Sequence, residues 1–370
     1  MFTDLRLENS ALFKDFEWKN HDKLNVIIGE NDTGKTHLLK IMYSIAKSIE
    51  EFKIRQKTDK PLWKQALASK LLWVFQPGST GDWHLGELVR KGEKRLEVEA
   101  HFCNNNLHFS FGKDTKKTIK NCTEVIQIQE KTNSLFLPPK EVLTSIDAIY
   151  KVHDIPGFDH TYQDLITAIR KVPSKSRGAL DNNAPFGVQP FGVAPWGVVS
   201  KKTRSTLHLN KVIEEILSLF RGEIKLEKDH FVFSRKQEKY QMSQIAEGIK
   251  KLSMLTLLIK NQSLRKGSIL FIDEPETNLH PGAIKKFMTM LYHFSMAGIQ
   301  IYLATHSYFV IKQLELIARK NQFDIPICSL NNEEGNVTHS INNLRDGVPD
   351  NPIIDVSIEQ FEEDLRMGED

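Results

Sequence analysis

The clearest pattern of apolar and polar positions lies close to the N-terminus. Residues 24–28 read Leu-Asn-Val-Ile-Ile, and a short, mostly apolar run of this kind is typical of a buried strand. Beyond a glycine-containing loop, apolar residues recur at helical spacing from Thr36 onwards: Leu38, Leu39, Ile41, Met42, Ile45 and Ala46. The pattern therefore predicts a strand, a tight loop and an amphipathic helix in direct succession.

Elsewhere the spacing of apolar residues predicts a mixture of helices and strands. The predicted helices lie at 62–75, 140–177, 207–220, 243–260 and 281–296. The predicted short strands lie at 223–226, 231–233, 268–272 and 300–304. Residues 96–130 alternate apolar and polar side chains around turn residues, which predicts an antiparallel sheet inserted into the N-terminal lobe. Buried strands separated by a helix pair in parallel, so the fold class is predicted to be α/β.

One segment repeats a five-residue unit. Pro-Phe-Gly-Val begins at Pro185 and Pro190, and Pro-Trp-Gly-Val begins at Pro195. Proline and glycine prevent a regular helix here. The segment is either an expanded surface loop, which we favour, or an aromatic loop that docks a partner.

A length of 370 residues and a mass of 42.5 kDa suit one elaborated domain. We expect an N-terminal lobe over 1–140 that holds the antiparallel sheet, a helical insertion over 141–240 with a Pro/Gly-rich loop at 181–200, and a C-terminal lobe over 241–370.

Composition mainly excludes classes of protein. The chain is 40% hydrophobic and 26% charged, and no apolar run approaches the roughly 18 residues of a membrane span. The N-terminus does not resemble a secretion signal. The scattered cysteines Cys103, Cys122 and Cys328 argue against a zinc site or a disulfide framework. We therefore expect a cytoplasmic protein with no membrane partner.

Net charge is only +3, which does not require a polyanionic partner. Basic clusters nevertheless occur at 53–64, 116–120, 170–177 and 201–204. These clusters are either solvated surface or, if they converge on one face, a nucleic-acid site that contacts phosphates.

The loop at 29–36 reads Gly-Glu-Asn-Asp-Thr-Gly-Lys-Thr, a complete phosphate-binding P-loop between a strand and a helix. Its glycines let backbone N–H groups surround a phosphate, Lys35 neutralises phosphate charge, and the Thr36 hydroxyl is a Mg²⁺ ligand. Asp32 stands where glycine is frequent, and aspartate tolerates a left-handed backbone. The residues predicted to bind ATP are Gly29, Asn31, Asp32, Thr33, Gly34, Lys35 and Thr36.

Two later strands end in polar residues suited to hydrolysis. Ile-Leu-Phe-Ile at 269–272 runs into Asp273, predicted to orient Mg²⁺, and Glu274, predicted to polarise the attacking water. The next predicted strand ends at Ala-Thr-His-Ser, so His306 is predicted to emerge at the same sheet edge and to sense the γ-phosphate. We predict Glu274 and His306 as the catalytic residues, and Thr36 and Asp273 as the metal ligands.

The order of these motifs resembles the ABC-type ATPase heads of the RecF, SMC and OLD-like group. The resemblance is strongest to AAA-family ATPases of bacterial anti-phage systems such as Septu, PARIS and some retrons. It covers nearly the whole chain. The stretches that carry it are 29–36, 136–141, 245–248, 273–281 and 304–307.

The resemblance implies a head-to-head dimer, or a higher oligomer, that forms on ATP. Asn278 would lie in a D-loop at the dimer interface and bind nucleotide there. Gly248, in the signature motif at 245–248, would meet the γ-phosphate of the opposite subunit at a helix N-terminus.

Several residues depart from the usual pattern of such heads. Ala246 and Glu247 stand where Ser and Gly are common, so the resemblance implies a weaker contact in trans, slow turnover and a long-lived dimer. Ser243, one turn earlier, is a candidate to supply a substitute hydroxyl.

A Q-loop glutamine is not recognisable, and residues 136–141 fill its place, with Glu141 or Gln129 as candidates on the metal side.

The leading functional hypothesis is the ATPase subunit of a phage-defence complex that controls a separate toxic effector. We find no nuclease motif in this chain, so the effector, expected to be a nuclease, would be another polypeptide. The alternative is a RecF-like DNA-repair clamp without a toxin. A transporter motor is disfavoured, because the Q-loop glutamine and an LSGGQ-like signature are both missing.

Overall fold

The computed structural model describes residues 1–55, 63–79, 82–123, 132–146, 149, 158–171, 222–227, 230–236, 238–333 and 335–367. The Pro-Phe-Gly-Val repeats, the predicted helix at 207–220, the basic cluster at 201–204 and Gln129 lie outside these residues.

The described helices are α1 (Lys35–Arg55), α2 (Trp63–Phe75), α3 (His160–Arg170), α4 (Glu247–Lys260), α5 (Pro281–Met296), α6 (Tyr308–Asn321) and α7 (Pro352–Met367). The described strands are β1 (Phe2–Ser10), β2 (Phe13–Trp18), β3 (Leu24–Gly29), β4 (Gly78–Ser79), β5 (Asp82–Trp83), β6 (Arg95–Phe102), β7 (Asn105–Gly112), β8 (Asn121–Cys122), β9 (Asn133–Leu137), β10 (Glu223–Glu227), β11 (His230–Arg235), β12 (Glu238–Gln241), β13 (Ser268–Asp273), β14 (Gln300–Thr305), β15 (Pro326–Glu333) and β16 (Asn336–Asn343).

Within the described residues, a six-stranded sheet in the order β16-β15-β3-β14-β13-β9 forms the centre of the molecule. All neighbouring strands in it are parallel except β15 and the edge strand β16. The predicted pairing of the strands at 268–272 and 300–304 is confirmed, with Ile269 opposite Gln300. The α/β class is likewise confirmed.

The central sheet is covered on both faces, which explains why its inner strands are apolar without alternation. On β13, Ile269 and Phe271 pack with α1, α2 and the N-terminal sheet. Leu270 and Ile272 point to the opposite face and pack with the helices of the C-terminal lobe. The sheet therefore separates two hydrophobic cores.

The antiparallel sheet predicted from alternation is present, with a contribution that the sequence did not indicate. Its order among the described residues is β2-β1-β6-β7-β8, so the N-terminal strands pair with β6. The ring of His339 on β16 packs 4.6 Å from that of Phe16, and its Nε2 lies 3.0 Å from the carbonyl oxygen of Glu17. The two sheets are thus joined at β2.

Two helix predictions need correction. Of the helix predicted over 140–177, residues 140–145 are not helical, and residues 146 and 149 are. A further described helix begins at His160, where the N-cap Asp159 accepts a 2.8 Å hydrogen bond from the Thr161 amide. The helix predicted from Ser243 begins at Glu247, because 242–244 form a separate 3₁₀ turn. None of the helices in the described segments has the length and apolarity to cross a membrane.

Candidate active site

The P-loop joins the end of β3 to the start of α1, as predicted. Gly29 has a φ of +155° and Gly34 a φ of +88°, in the region that favours glycine. A Cβ on Gly29 would lie 2.6 Å from the carbonyl oxygen of Leu330, and one on Gly34 would lie 2.8 Å from the ring of Phe13. Both positions require glycine, because neighbouring atoms close over the backbone.

Other loop residues fix its shape. Asp32 has a φ of +64°, the left-handed conformation that we expected aspartate to tolerate here. Thr33 is buried, and its hydroxyl donates a 2.9 Å hydrogen bond to the carbonyl of Glu30. Asn31 and Asp32 are exposed, so their side chains face solvent on the rim of the loop.

Lys35 lies inside the loop and is buried. Its Nζ donates hydrogen bonds to the carbonyl oxygens of Gly29, at 2.8 Å, and Glu30, at 2.6 Å. Burial lowers the pKa of the ammonium, while nearby carboxylates, Asp273 foremost, raise it. The loop therefore holds a positive charge where P-loops bind phosphate.

Thr36 and Asp273 join the two halves of the site. The Thr36 hydroxyl donates a 2.7 Å hydrogen bond to Asp273 Oδ2. Asp273 is 3% exposed, and its Oδ1 has no hydrogen-bond partner in the described part of the chain. A hydroxyl beside a buried carboxylate with a free oxygen provides the hard oxygen ligands that Mg²⁺ prefers. The residues present therefore fit a magnesium ion.

The acidity of Asp273 supports the same reading. Burial raises its pKa to about 6, the hydrogen bond from Thr36 opposes this, and the nearby Glu274 carboxylate adds to it. A buried carboxylate that is costly to ionise gains stabilisation from a cation.

Glu274 follows β13 in an unusual backbone conformation. Its φ is +46°, which is rare for residues other than glycine, and its amide donates a 2.9 Å hydrogen bond to the carbonyl of Ala304. Its Oε2 accepts a 3.2 Å hydrogen bond from the Thr277 hydroxyl. The turn thus presents a partly exposed carboxylate at the sheet edge, where a water molecule can reach it.

His306 emerges beside this carboxylate at the end of β14. Its Nδ1 lies 3.7 Å from Glu274 Oε1 and 3.6 Å from Glu276 Oε1. The imidazole is 44% exposed. The structure therefore brings His306 and Glu274 together, as the strand-end positions predicted.

Glu276 also belongs to this group, although it was not among the residues predicted from sequence. Its Oε1 accepts hydrogen bonds from the Thr305 hydroxyl, at 2.7 Å, and from the His306 amide, at 3.3 Å. The carboxylate is mostly buried. It ties the end of β14 to the turn after β13. The sequence feature that could have identified Glu276 is its position as the third acid in the run Asp-Glu-Pro-Glu at 273–276.

The N-terminus of α4 packs against the predicted D-loop of the same chain. A Cβ on Gly248 would lie 2.8 Å from Leu279 Cδ2 and 3.0 Å from the carbonyl oxygen of Asn278. The N-cap Ala246 makes no side-chain capping hydrogen bond. Gly248 and Asn278 are therefore adjacent in one protomer, and their contacts with a nucleotide remain predictions.

Glu141, one of the two candidates to replace the Q-loop glutamine, takes part in an ion pair. Glu141 Oε1 accepts a 3.1 Å hydrogen bond from Lys250 Nζ in a nearly buried ion pair. Lys250 also donates to the Thr144 hydroxyl at 2.6 Å. Glu141 therefore anchors the turn after β9 to α4, which supports a structural role over a metal-side role.

Sheet order explains why residues so distant in sequence meet. β3, β14 and β13 are consecutive and parallel, so their carboxyl ends lie along one edge. The groups collected at that edge are Lys35, Thr36, Asp273, Glu274, Glu276 and His306. This arrangement can bind a phosphate, hold a divalent cation and accept a proton from water.

Part of the chain matches a known family. Residues 160–312 match the model described as "AAA domain, putative AbiEii toxin, Type IV TA system". The match covers less than half of the chain; it includes Asp273 and His306 and begins after the P-loop. Among curated protein sequences, none matches this chain.

Solved SMC heads are similar in structure. An SMC head bound to the C-winged helix domain of ScpA matches with a TM-score of 0.54 and 12% identity, over 93% of this chain and 98% of that chain. The SMC head domain from Thermotoga maritima matches with a TM-score of 0.48 and 13% identity, over 92% of this chain and 98% of that chain. The first likeness shows the fold: an ABC-type P-loop ATPase head.

Proposed function

We propose that this chain is an ATPase that binds ATP with Mg²⁺, dimerises on it and hydrolyses it slowly to control a separate protein. The observation that carries the proposal is the 2.7 Å hydrogen bond between Thr36 and Asp273, which lie 237 positions apart in the sequence. A P-loop hydroxyl bonded to a strand-end carboxylate is the arrangement in which a nucleotide-bound magnesium ion is held.

ATP binding would use the P-loop backbone and Lys35. The glycine conformations at Gly29 and Gly34 let the amides turn towards a phosphate, and the first turn of α1 adds its dipole. Lys35 would exchange its two carbonyl hydrogen bonds for phosphate oxygens. Asn31 and Asp32 would contribute from the exposed rim of the loop, and the buried Thr33 from within it.

Mg²⁺ would be held by the Thr36 hydroxyl and the Asp273 carboxylate, and when bound it supplies neutralisation of phosphate charge. Glu274 would orient and deprotonate the attacking water. His306 would contact the γ-phosphate, because its ring is exposed beside Glu274 and its backbone is held by Glu276.

Slow turnover is supported by the N-terminus of α4. In a dimer this helix would point Gly248 at the nucleotide of the opposite protomer. Ala246 offers no hydroxyl there, and Glu247 places a carboxylate in the first turn. Both residues weaken the attraction of this helix N-terminus for a γ-phosphate. Slow hydrolysis suits an ATPase that switches an assembly between states better than one that works continuously.

The controlled partner would be a toxic effector, most simply a nuclease, in cytoplasmic anti-phage defence. The model matched by residues 160–312 is described as "AAA domain, putative AbiEii toxin, Type IV TA system", which supports a place in a toxin-based system. The SMC head with a TM-score of 0.54 was solved with a domain of ScpA bound, which supports a head fold that can carry a second protein.

A RecF-like DNA clamp is the second candidate, and an exposed basic loop favours it. Lys113, Lys116, Lys117 and Lys120 are all exposed between β7 and β8. If DNA alone binds the ATP-loaded dimer, this alternative replaces the effector proposal.

Hydrolysis is tested by measuring phosphate release, and nucleotide binding by titration with a fluorescent ATP analogue. Lys35→Ala should abolish nucleotide binding, with the exposed Lys91→Ala as control, and Glu274→Gln should retain binding while lowering kcat about a hundredfold or more. Wild-type protein that binds no nucleotide with Mg²⁺ would exclude the proposal.

Partner control is tested by co-purification with the products of neighbouring genes, in ATP, using Glu274→Gln to hold the loaded state. A protein complex that requires nucleotide supports effector control. Retention of DNA without any protein supports the clamp.

A further inference from the structure

Lys251 is a buried cation that the mechanism above does not use. It lies in the second turn of α4 and is 4% exposed. Its Nζ donates a 2.9 Å hydrogen bond to the backbone carbonyl oxygen of Glu274. A helix that faces the partner's nucleotide in the proposed dimer is thereby bonded to the hydrolytic residue of its own protomer.

The carbonyl that Lys251 contacts belongs to the left-handed residue in the turn after β13. Glu274 has a φ of +46°. Its amide is fixed by the carbonyl of Ala304, and its own carbonyl accepts from the Thr277 amide at 3.2 Å as well as from Lys251. A strained conformation persists only where its surroundings impose it. Of these three hydrogen bonds, only the one from Lys251 comes from α4.

The charge on Lys251 matches its surroundings. Glu276 and Glu274 in the turn after β13, Asp273 at the end of β13 and Glu247 on its own helix all act on this charge. Burial lowers the pKa of Lys251 to about 8, and these carboxylates oppose the shift. The side chain is therefore mostly protonated at neutral pH and neutralises an acidic turn.

The rest of the N-terminus of α4 is also tied to this turn. Gly248 lies three residues before Lys251 and fits against Leu279 and the carbonyl of Asn278 without space for a Cβ. Asn278 also donates to the Glu247 carboxylate. A displacement of the helix N-terminus must therefore act on the turn that carries Glu274.

We propose that Lys251 is a positioning residue that holds Glu274 in its left-handed conformation and so links the partner-facing end of α4 to hydrolysis in the same protomer. The inference rests on the proposed ATPase function. In the proposed dimer, a change at the N-terminus of α4 would reach the backbone of Glu274 through Lys251.

The first test compares Lys251→Met with Lys70→Met. Lys70 is similarly buried and bonded to Glu51 at 2.6 Å and Asp164 at 3.1 Å, away from the turn after β13, so it controls for the removal of a buried lysine charge. Lys251→Met should lower kcat about tenfold or more while the KM for ATP changes less than about twofold. An unchanged kcat, or the same loss in Lys70→Met, overturns the proposal.

The second test needs no hydrolysis. Amide hydrogen exchange in nucleotide-free protein should be faster over residues 274–279 in Lys251→Met than in wild type or Lys70→Met. Equal exchange in Lys251→Met and wild type overturns the positioning role, even if the protein hydrolyses ATP. Faster exchange in Lys251→Met, together with no ATPase activity in wild type, defeats only the proposed function. Lys251→Gln, which keeps a shorter donor, replaces Lys251→Met if that variant does not fold.

Discussion

Asn278 donates a side-chain hydrogen bond to the carboxylate of Glu247, and this contact fixes the N-terminus of α4 to the turn after β13 within one chain. The negative charge stabilises the first turn of the helix, whose amides carry partial positive charge. A phosphate from a partner would seek the same amides. Glu247 therefore competes with the anion that the dimer would place there.

Glu247→Gln should strengthen the ATP-dependent dimer, because the amide oxygen still accepts from Asn278 while the charge that repels phosphate is gone. We expect a dissociation constant lower by about tenfold, equivalent to about 1.4 kcal/mol. Sedimentation in ATP, in the Glu274→Gln background, measures it. The exposed Glu87→Gln is the control; a weaker dimer in Glu247→Gln would show that its charge does not oppose nucleotide.

Glu276→Ala should impair hydrolysis without loss of nucleotide affinity, because it frees the Thr305 hydroxyl and the His306 amide that position the imidazole. We expect kcat to fall about tenfold or more with little change in KM. Glu276→Gln keeps an acceptor oxygen and should retain more activity. Steady-state kinetics of the pair decide the point, and equal activity of Glu276→Ala and wild type would contradict it.

Gly34→Ala and Gly92→Ala form a matched pair. The two glycines have φ values of +88° and +89°, so an added Cβ strains both backbones alike. Only Gly34 would clash, since the Cβ would lie 2.8 Å from Phe13, whereas nothing lies within 4 Å of it at Gly92. Gly34→Ala should lose ATP binding, and Gly92→Ala should retain it with about 1 kcal/mol lower stability. Titration with fluorescent ATP and urea unfolding measure both effects; comparable ATP affinity in the two variants would refute the steric argument.

Acid should destabilise the protein through His21. Its Nδ1 lies 2.7 Å from the Tyr302 hydroxyl and its Nε2 lies 3.1 Å from the Trp18 carbonyl oxygen, an arrangement that suits the neutral ring. Burial lowers its pKa to about 4, whereas the unfolded residue takes up a proton near 6.5. Protons therefore favour the unfolded state, so stability present above pH 6.5 is lost as the pH falls towards 4.

The loss attributable to His21 is about 3 kcal/mol. Burial also lowers the pKa of His37 to about 4, whereas the raised pKa of Asp273 acts in the opposite sense, so His21→Gln should make the pH dependence of the free energy of unfolding less steep without abolishing it. Urea unfolding at several pH values between 7.5 and 4.5 measures the slope. A slope as steep in His21→Gln as in wild type would exclude this assignment.

The arrangement of the candidate site was largely predictable from sequence, because its residues lie in short contiguous motifs at strand ends. The P-loop and the acids Asp273 and Glu274 each follow an apolar run that reads as a strand. The carboxyl ends of parallel strands meet at one edge of a sheet. The meeting of Thr36 with Asp273 follows from that rule.

Residues that act through tertiary contacts were not predictable. Lys251 occupies a helical position that a lysine would usually expose, and only packing against the turn after β13 buries it. The pairing of Leu5 with Ala100 likewise depends on strands far apart in sequence. Residues 140–145 have helical spacing, but Pro138 and Pro139 precede them, and Glu141 is bound to Thr144 and Lys250 in a turn.

The position of β3 has a consequence for biosynthesis. This strand carries the P-loop, yet both of its sheet neighbours, β14 and β15, are made after residue 299. A nascent chain therefore exposes both edges of an apolar strand until most of the protein has left the ribosome. Products truncated before β14 would keep this strand unpaired and would depend on chaperones or proteases to limit aggregation.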